Sequence, residues 1–345
     1  MAQGNGSRSF NVAVVGATGI VGQEFLRILV QRRFPVRSLK LIASERSAGK
    51  RLWVGESELT VEALTPSSLA GADFVFISAT DEISREYCPI AAKAGAIAID
   101  DSGVWRMDPD VPLVVPEVNA DDVERHKGIL AIPNCSTTPV VMTLWPIHRR
   151  SRVRRVIAAT YQSVSGTGKA AVAELEEQVQ RLDRGEAVVP HVYPHQIAYN
   201  VLPHIGSFKE DGYTSEEWKM RMETQKIMHD PEIAFSATCV RVPVFIGHSA
   251  AVHVELSDPL DAEEVRRLLA QAPGVVVQDE PAINLYPHPV EAAGHDPVYV
   301  GRIRNDTALE NGIAFWVTAD NLRKGAALNA IQIAEELIAR NLVPS

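Results

Sequence analysis

The sequence predicts an α/β chain in two parts, a doubly wound, mostly parallel sheet followed by a mixed α+β body. Three observations carry that prediction. A β-branched run, Asn11-Val12-Ala13-Val14-Val15, passes at once into the glycine turn Gly16-Ala17-Thr18-Gly19-Ile20-Val21-Gly22, then into apolar residues at helical spacing from Gln23 to Leu29. Strand-like and helical stretches keep alternating as far as Asp101. Beyond Cys135 the pattern changes to strands of an evidently different sheet. A final helix, from about Gly325 to Arg340, bears the apolar stripe Ala327, Ala330, Ile331, Ala334, Leu337 and Ile338, and is expected to return to the first domain. The domains are therefore drawn as 1–133, completed by 323–345, and 134–322.

Taken in order, the first strand, glycine turn and helix read as a Rossmann-type dinucleotide site. The glycines let the backbone approach a pyrophosphate, which the helix N-terminus stabilises. Gly16, Thr18, Gly19, Ile20, Val21 and Gly22 are its candidate residues. The next strand, Leu39 to Ala43, ends in Ser44-Glu45-Arg46-Ser47, where an acidic residue would meet the ribose diol in an NAD enzyme. Ser44, Arg46 and Ser47 suit a 2′-phosphate instead, so NADP is favoured, although Glu45 would repel that phosphate if it pointed inward. Two more strands, Asp73 to Thr80 and Ala96 to Asp101, flank a helix around Ile83 to Ala94. Their carboxyl ends bring Ser78, Ala79, Thr80 and the stretch Asp101-Ser102-Gly103-Val104-Trp105-Arg106 to the ligand-binding rim. By itself Arg106 reads as an exposed surface arginine.

Between the two parts lies Ile132-Pro133-Asn134-Cys135-Ser136-Thr137-Thr138-Pro139, followed by an apolar helix. Cys135 falls at or just before that helix N-terminus, where free N–H groups and the dipole lower a thiol pKa and could receive an oxyanion. Cys88 and Cys239 read as core thiols. Three cysteines without metal-ligand spacing indicate neither a disulfide framework nor a zinc site. A formal net charge of −9 disfavours a nucleic-acid surface. No stretch is apolar enough to span a membrane, and the polar Met1 to Ser9 resembles a frayed tail rather than a signal peptide, so a cytoplasmic home is expected.

The second part opens with a strand from Val153 to Ser163, on which Tyr161 and Gln162 must face opposite sides. One of them is packed and the other free, and a solvated glutamine is an even choice. Val164-Ser165-Gly166-Thr167-Gly168 leads into a helix from Lys169 to about Leu182. Thr214 and Glu217 form a capping box opening a helix to about Met228, on which Lys219, Glu223 and Lys226 share a stripe that reads as a solvated ion-pair face. Strands Phe235 to Arg241 and His248 to Leu256 are joined by Val242-Pro243-Val244-Phe245-Ile246-Gly247. Run straight, that connection would hold Arg241 and His248 roughly 23 Å apart, but Pro243 and Gly247 predict a reversal that brings them together. A further strand, Phe315 to Leu322, precedes the final helix.

These motifs, in this order, resemble the bacterial aspartate-semialdehyde dehydrogenase family over nearly the whole chain. The match includes the Gly16-to-Gly22 turn, the stretch Met107 to Asn119, Asn134-Cys135-Ser136-Thr137, Tyr161 to Gly166, Arg241-Val242-Pro243-Val244 and Gly247-His248-Ser249. The resemblance implies NADPH-dependent reduction of L-aspartyl 4-phosphate to L-aspartate 4-semialdehyde with release of phosphate, in lysine (diaminopimelate), threonine and methionine biosynthesis. By the same resemblance Cys135 is the acyl-thioester nucleophile, His248 the acid/base and Gln162 a substrate-orienting residue. Arg241 would clamp the α-carboxylate and Glu223 the amino group, while Arg106, Asn134 and Lys226 would hold phosphate. Ser165, Gly166 and Asn321 would border the nicotinamide of NADP, and the second domain would dimerise, as a homodimer or a dimer of dimers. Asp101-Ser102-Gly103 departs from the family's usual Asn-Ser-Ser and adds an acidic group near the anion site. The related N-acetylglutamyl-phosphate reductases usually carry Gly-Cys-Tyr, so Asn134-Cys135-Ser136 favours the aspartyl substrate. A cysteine hydrolase using Cys135 and His248 would leave the glycine turn unexplained, and the retained Cys135, Gln162, Arg241 and His248 oppose a noncatalytic nucleotide-binding role.

Overall fold

The computed structural model describes residues 8–344; residues 1–7 of the polar stretch Met1 to Ser9 lie outside them. The chain forms two compact units. One runs up to Pro116, resumes over Ala120–Ile132 and takes in the stretch from Ala327; the other holds Glu117–Asn119 and Pro133–Ala326. The first six strands are β1 (Phe10–Val15), β2 (Val36–Ala43), β3 (Arg51–Val54), β4 (Ser57–Ala63), β5 (Phe74–Ile77) and β6 (Ile97–Asp100). They continue as β7 (Ile129–Ala131), β8 (Val153–Gln162), β9 (Ala234–Arg241), β10 (His248–Leu256), β11 (Val275–Val277), β12 (Val298–Asn305) and β13 (Gly312–Ala319). The longer helices are α1 (Ile20–Gln31), α2 (Asp81–Lys93), α3 (Thr137–Arg150), α4 (Lys169–Asp183), α5 (Ser215–Ile227), α6 (Ala262–Ala270) and α7 (Leu328–Ala339).

The first unit is built on a seven-stranded sheet of order β3-β4-β2-β1-β5-β6-β7, parallel except where β3 turns back on β4. Its central strands are apolar on both faces because both faces are covered. Ala13, Val15, Ile42, Val75 and Ile77 pack with Tyr87, Cys88 and Ala91 of α2. On the other face α1 brings Phe25 to 4.2 Å from the ring of Phe76, and α7 buries Ile331, Ile333, Ala334 and Leu337. Each fully buried Val, Ile, Leu or Phe among them contributes about 1.5–3 kcal/mol.

The second unit has a six-stranded sheet of order β11-β12-β13-β10-β8-β9. In β8 the residues Val156, Ala158, Thr160 and Gln162 are buried while Ile157 and Tyr161 are exposed. That alternation makes one face a core, and α3, α5 and α6 belong to this unit. Gln162 therefore sits on the packed face at 1% exposure, and the solvated alternative fails. The other face presents Ile157, Ala159, Tyr161, Ala251, His253 and Trp316 in register, with the rings of Tyr161 and Trp316 5.2 Å apart. Between β13 and α7 the chain makes one π-helical turn, Arg323–Ala327.

Candidate active site

Asn134 organises the nucleophile loop. Its carbonyl accepts from the N–H groups of Thr137 (2.9 Å) and Thr138 (3.1 Å), and its Oδ1 accepts from Ser136 N–H at 2.9 Å. Those bonds close the turn that leads into α3, so the half-buried thiol stands just ahead of the helix, at its positive end. They also correct one expectation. The N–H groups of Ser136, Thr137 and Thr138 are engaged by Asn134 rather than free. Behind the thiol, Gly325 of the π-turn packs so closely that a Cβ there would lie 2.9 Å from Cys135 Cβ.

A second cluster holds the loop from α5. Glu223 Oε2 accepts from Asn134 N–H at 2.7 Å, and Glu216 Oε1 accepts from Asn134 Nδ2 at 2.8 Å and Gln162 Nε2 at 3.1 Å. Glu223 is 1% exposed and Glu216 is buried, so this stripe is not a solvated face: the helix lays it on the nucleophile loop. Lys219, between these two, and Lys226, one turn beyond Glu223, are half-buried on the same helix.

The third cluster gathers on the turn after β8. β9 and β10 both pair with β8, so the connection between them reverses as predicted, with Gly247 at φ +97°. Arg241 and His248 consequently meet at Gly166, where an added Cβ would lie 3.1 Å from Arg241 Nη1 and 3.0 Å from His248 Nε2. Ser163 ties them: its N–H donates to His248 Nδ1 (3.0 Å) and its carbonyl accepts from Arg241 Nη1 (2.6 Å). A backbone N–H can only donate, so Nδ1 carries the lone pair and the neutral ring bears its proton on Nε2. Burial and the Arg241 charge hold the His248 pKa well below 6.5, and Nε2 has no hydrogen-bond partner among the described residues. Asn321 completes the cluster, its Oδ1 accepting from Ser163 Oγ, Ser165 Oγ and Gly247 N–H. Arg241 is 5% exposed, its Nε is unsatisfied, and among the described residues no carboxylate pairs with it.

In the first unit, Gly16 has φ +88° and a Cβ there would lie 2.0 Å from the Ser78 carbonyl; one on Gly22 would lie 2.2 Å from the Gly16 carbonyl. The turn admits only glycine at both positions. α1 starts after Gly19 with no side-chain cap and no acidic residue in its first turn, which leaves its N-terminal N–H groups for an anion. Thr18, Ile20 and Val21 lie in this turn and first helical residues. Ser44, Glu45 and Arg46 are exposed at the end of β2, and Ser47 is buried. Ser78 Oγ donates to Asp101 Oδ2 at 2.9 Å, Ala79 is exposed, and Thr80 caps α2. Arg106 is buried rather than surface-exposed, because its Nη2 is drawn in to the Asp101 carbonyl at 2.8 Å. Burial pushes the Asp101 carboxyl up to about 6, against the pull of Arg106 and Ser78.

Two family models match, described as the semialdehyde dehydrogenase NAD binding domain over residues 11–126 and the semialdehyde dehydrogenase dimerisation domain over residues 144–324. The aspartate-semialdehyde dehydrogenase of Aquifex aeolicus is 52% identical over 97% of this chain and 99% of its own. The chain belongs to the aspartate-semialdehyde dehydrogenase family. A solved aspartate semialdehyde dehydrogenase II of Vibrio cholerae, complexed with ASA, superposes with a TM-score of 0.93 at 45% identity, over 96% of this chain and 99% of that one. The Candida albicans enzyme, solved with NADP, gives 0.77 at 26% identity, over 97% of this chain and all of its own. These matches favour the aspartate-semialdehyde dehydrogenase family over the acetylglutamyl-phosphate reductases. They also make the chain an oxidoreductase with a nicotinamide-dinucleotide-binding domain.

Sequence reasoning missed three residues of this candidate site. Ser163 acts largely through its main chain and leaves no side-chain signature. Gly325 looked like the start of a helix. Glu216 was visible in principle, since it lies seven residues before Glu223 and hence on the same face of α5. Among the described residues no helix is long and apolar enough to cross a membrane, and no group of His, Cys, Asp or Glu is placed to hold a metal.

Proposed function

We propose that the chain catalyses the NADPH-dependent reductive dephosphorylation of L-aspartyl 4-phosphate to L-aspartate 4-semialdehyde. The observation that carries this reading is Arg241, a buried guanidinium that no carboxylate among the described residues pairs with. Such a charge is costly unless a ligand supplies the anion, and the substrate's α-carboxylate does. Glu223 meets the substrate ammonium. Arg106, Lys226 and the remaining N–H of the Asn134 amide are assigned to the phosphate.

Cys135 thiolate attacks the acyl carbon; a C–S bond forms, the C–O bond to phosphate breaks, and phosphate leaves with that electron pair. NADPH, when bound, would supply the hydride to the acyl carbon; the C–S bond breaks, its electron pair returns to Cys135 as thiolate, and the aldehyde is released. The Gly16–Gly22 turn, with its uncapped helix, receives the dinucleotide pyrophosphate. Ser44, Arg46 and Ser47 are assigned to its 2′-phosphate, Ser78, Ala79 and Thr80 to the rim of its site, and Ser165, Gly166 and Asn321 to the nicotinamide. His248 donates from Nε2–H to the oxygen that gains charge at the acyl carbon, because its tautomer presents a proton there. Gln162 orients the substrate. We assign residues 1–133 with 323–345 to NADP and 134–322 to catalysis and pairing of subunits. The open face of the second sheet, with Ile157, Tyr161 and Trp316, is the surface we assign to pairing of two copies, as a homodimer or a dimer of dimers in the cytoplasm.

The test is phosphate-dependent reduction of NADP by aspartate semialdehyde. Wild type is expected to show it and Cys135→Ala to lose it while still binding nucleotide. Thiol-dependent hydrolysis with no nucleotide requirement would favour a cysteine hydrolase instead.

A further inference from the structure

We propose that Lys324 and Glu117 are positioning residues, whose buried ion pair fixes the π-helical turn Arg323–Ala327 so that Gly325 walls in Cys135. Its bearing on catalysis rests on the active-site reading above. Lys324 is 1% exposed, and its Nζ donates to Glu117 Oε2 at 2.6 Å, across 207 residues of chain. Glu117 belongs to the single turn Pro116–Asn119, and its other oxygen is boxed in: a Cβ on Gly274 would lie 3.2 Å from Oε1. The residue after Lys324 is the one against the nucleophile. A Cβ on Gly325 would lie 2.9 Å from Cys135 Cβ and 3.3 Å from both its Cα and its carbonyl oxygen.

A π-turn closes its hydrogen bonds over one residue more than an α-turn and is rarely what a helix adopts unaided, so contacts from elsewhere must hold it. Here two cations do so. Arg323 Nε donates to the half-exposed Asp296 at 2.8 Å, and Lys324 reaches inward to Glu117. An ammonium so deeply buried keeps its charge only beside an anion, which restricts Lys324 to one place and one direction. Its main chain, and with it Gly325, is thereby set. The pair acts on the thiol through the glycine wall, which restricts where the Cys135 side chain can swing. For a nucleophile that matters, because an error of about 1 Å in placing it can cost about 100-fold in rate.

Removing both charges together separates placement from stability, since an apolar pair of similar volume can replace a buried ion pair with little loss of fold. In Glu117→Met/Lys324→Met, hydrogen exchange of the amides in 322–327 and in 133–138 is expected to quicken about tenfold, with the central strands of both sheets unchanged. The kcat for phosphate-dependent NADP reduction is expected to fall about tenfold per folded chain, with KM for aspartate semialdehyde within about twofold of wild type. Folded chains are counted by the protection of Cys88 and Cys239, both buried, from iodoacetamide. Glu117→Gln, which keeps an oxygen for the ammonium but no charge, should change each reading by about threefold, and it decides should the double variant not fold. Quicker exchange at 322–327 with 133–138 as in wild type would overturn the proposal. So would exchange unchanged in both segments, or an unchanged kcat in a folded variant whose turn has loosened. Exchange needs no turnover, so an inactive wild type would count against the proposed reaction and leave exchange to judge the pair.

Discussion

His248 and Arg241 occupy one small space with opposite electrostatic needs. Burial first, and then the charge of the guanidinium beside it, keep the ring neutral. A histidine whose folded pKa lies below 6.5 stabilises the fold above pH 6.5, and that contribution is lost as pH falls through the folded value. The ring should therefore hold its Nε2–H tautomer without titrating between pH 6.5 and 8, as long-range nitrogen–proton NMR of the labelled imidazole would show. Arg241→Lys should raise KM for the semialdehyde by about 10- to 100-fold with a smaller change in kcat, because an ammonium cannot make two parallel hydrogen bonds. Steady-state kinetics decide it. Asp101 has the opposite sign: its folded pKa of about 6 exceeds the ordinary 3.8, so its contribution is present below pH 4 and disappears as pH rises through 6. Asp101→Asn should raise the melting temperature at pH 8 and leave it unchanged at pH 4, in thermal scans at the two values.

At the scale of elements, turns govern. Gly22→Ala would drive a methyl into the Gly16 carbonyl, at a cost of about 1–3 kcal/mol and with loss of NADP affinity, measurable by denaturant titration and by nucleotide fluorescence quenching. The Thr214–Glu217 capping box is present as the sequence predicts, both bonds made. These features were legible because a residue type encodes a local steric or hydrogen-bonding demand: glycine where no Cβ fits, Thr and Glu three apart where a helix begins. The reversal at Pro243 and Gly247 was legible for the same reason. Gln162, Glu223 and Arg106 were not. A polar side chain buried against a partner distant in the chain has the same one-dimensional pattern as a solvated one, and only the fold reveals the partner. The hairpin of β3 and β4 also escaped, being a short edge pair with no apolar alternation strong enough to announce it.

At the scale of the molecule, the open face of the second sheet leaves Ile157 and Tyr161 45% and 38% exposed in line with Trp316. If that face pairs two copies, Ile157→Asp should yield monomers in sedimentation velocity, since an unpaired carboxylate at such an interface is strongly unfavourable. The returning helix α7 has a different consequence. Its buried residues complete a unit whose other strands end at Ala131, and everything between belongs to the second unit. During synthesis the usual order of maturation is thus inverted. The nascent second unit has nearly all of its residues outside the ribosome while the first still lacks one wall, and the vacant apolar slot beside α1 stays open to chaperones until the stretch through Ala339 has emerged.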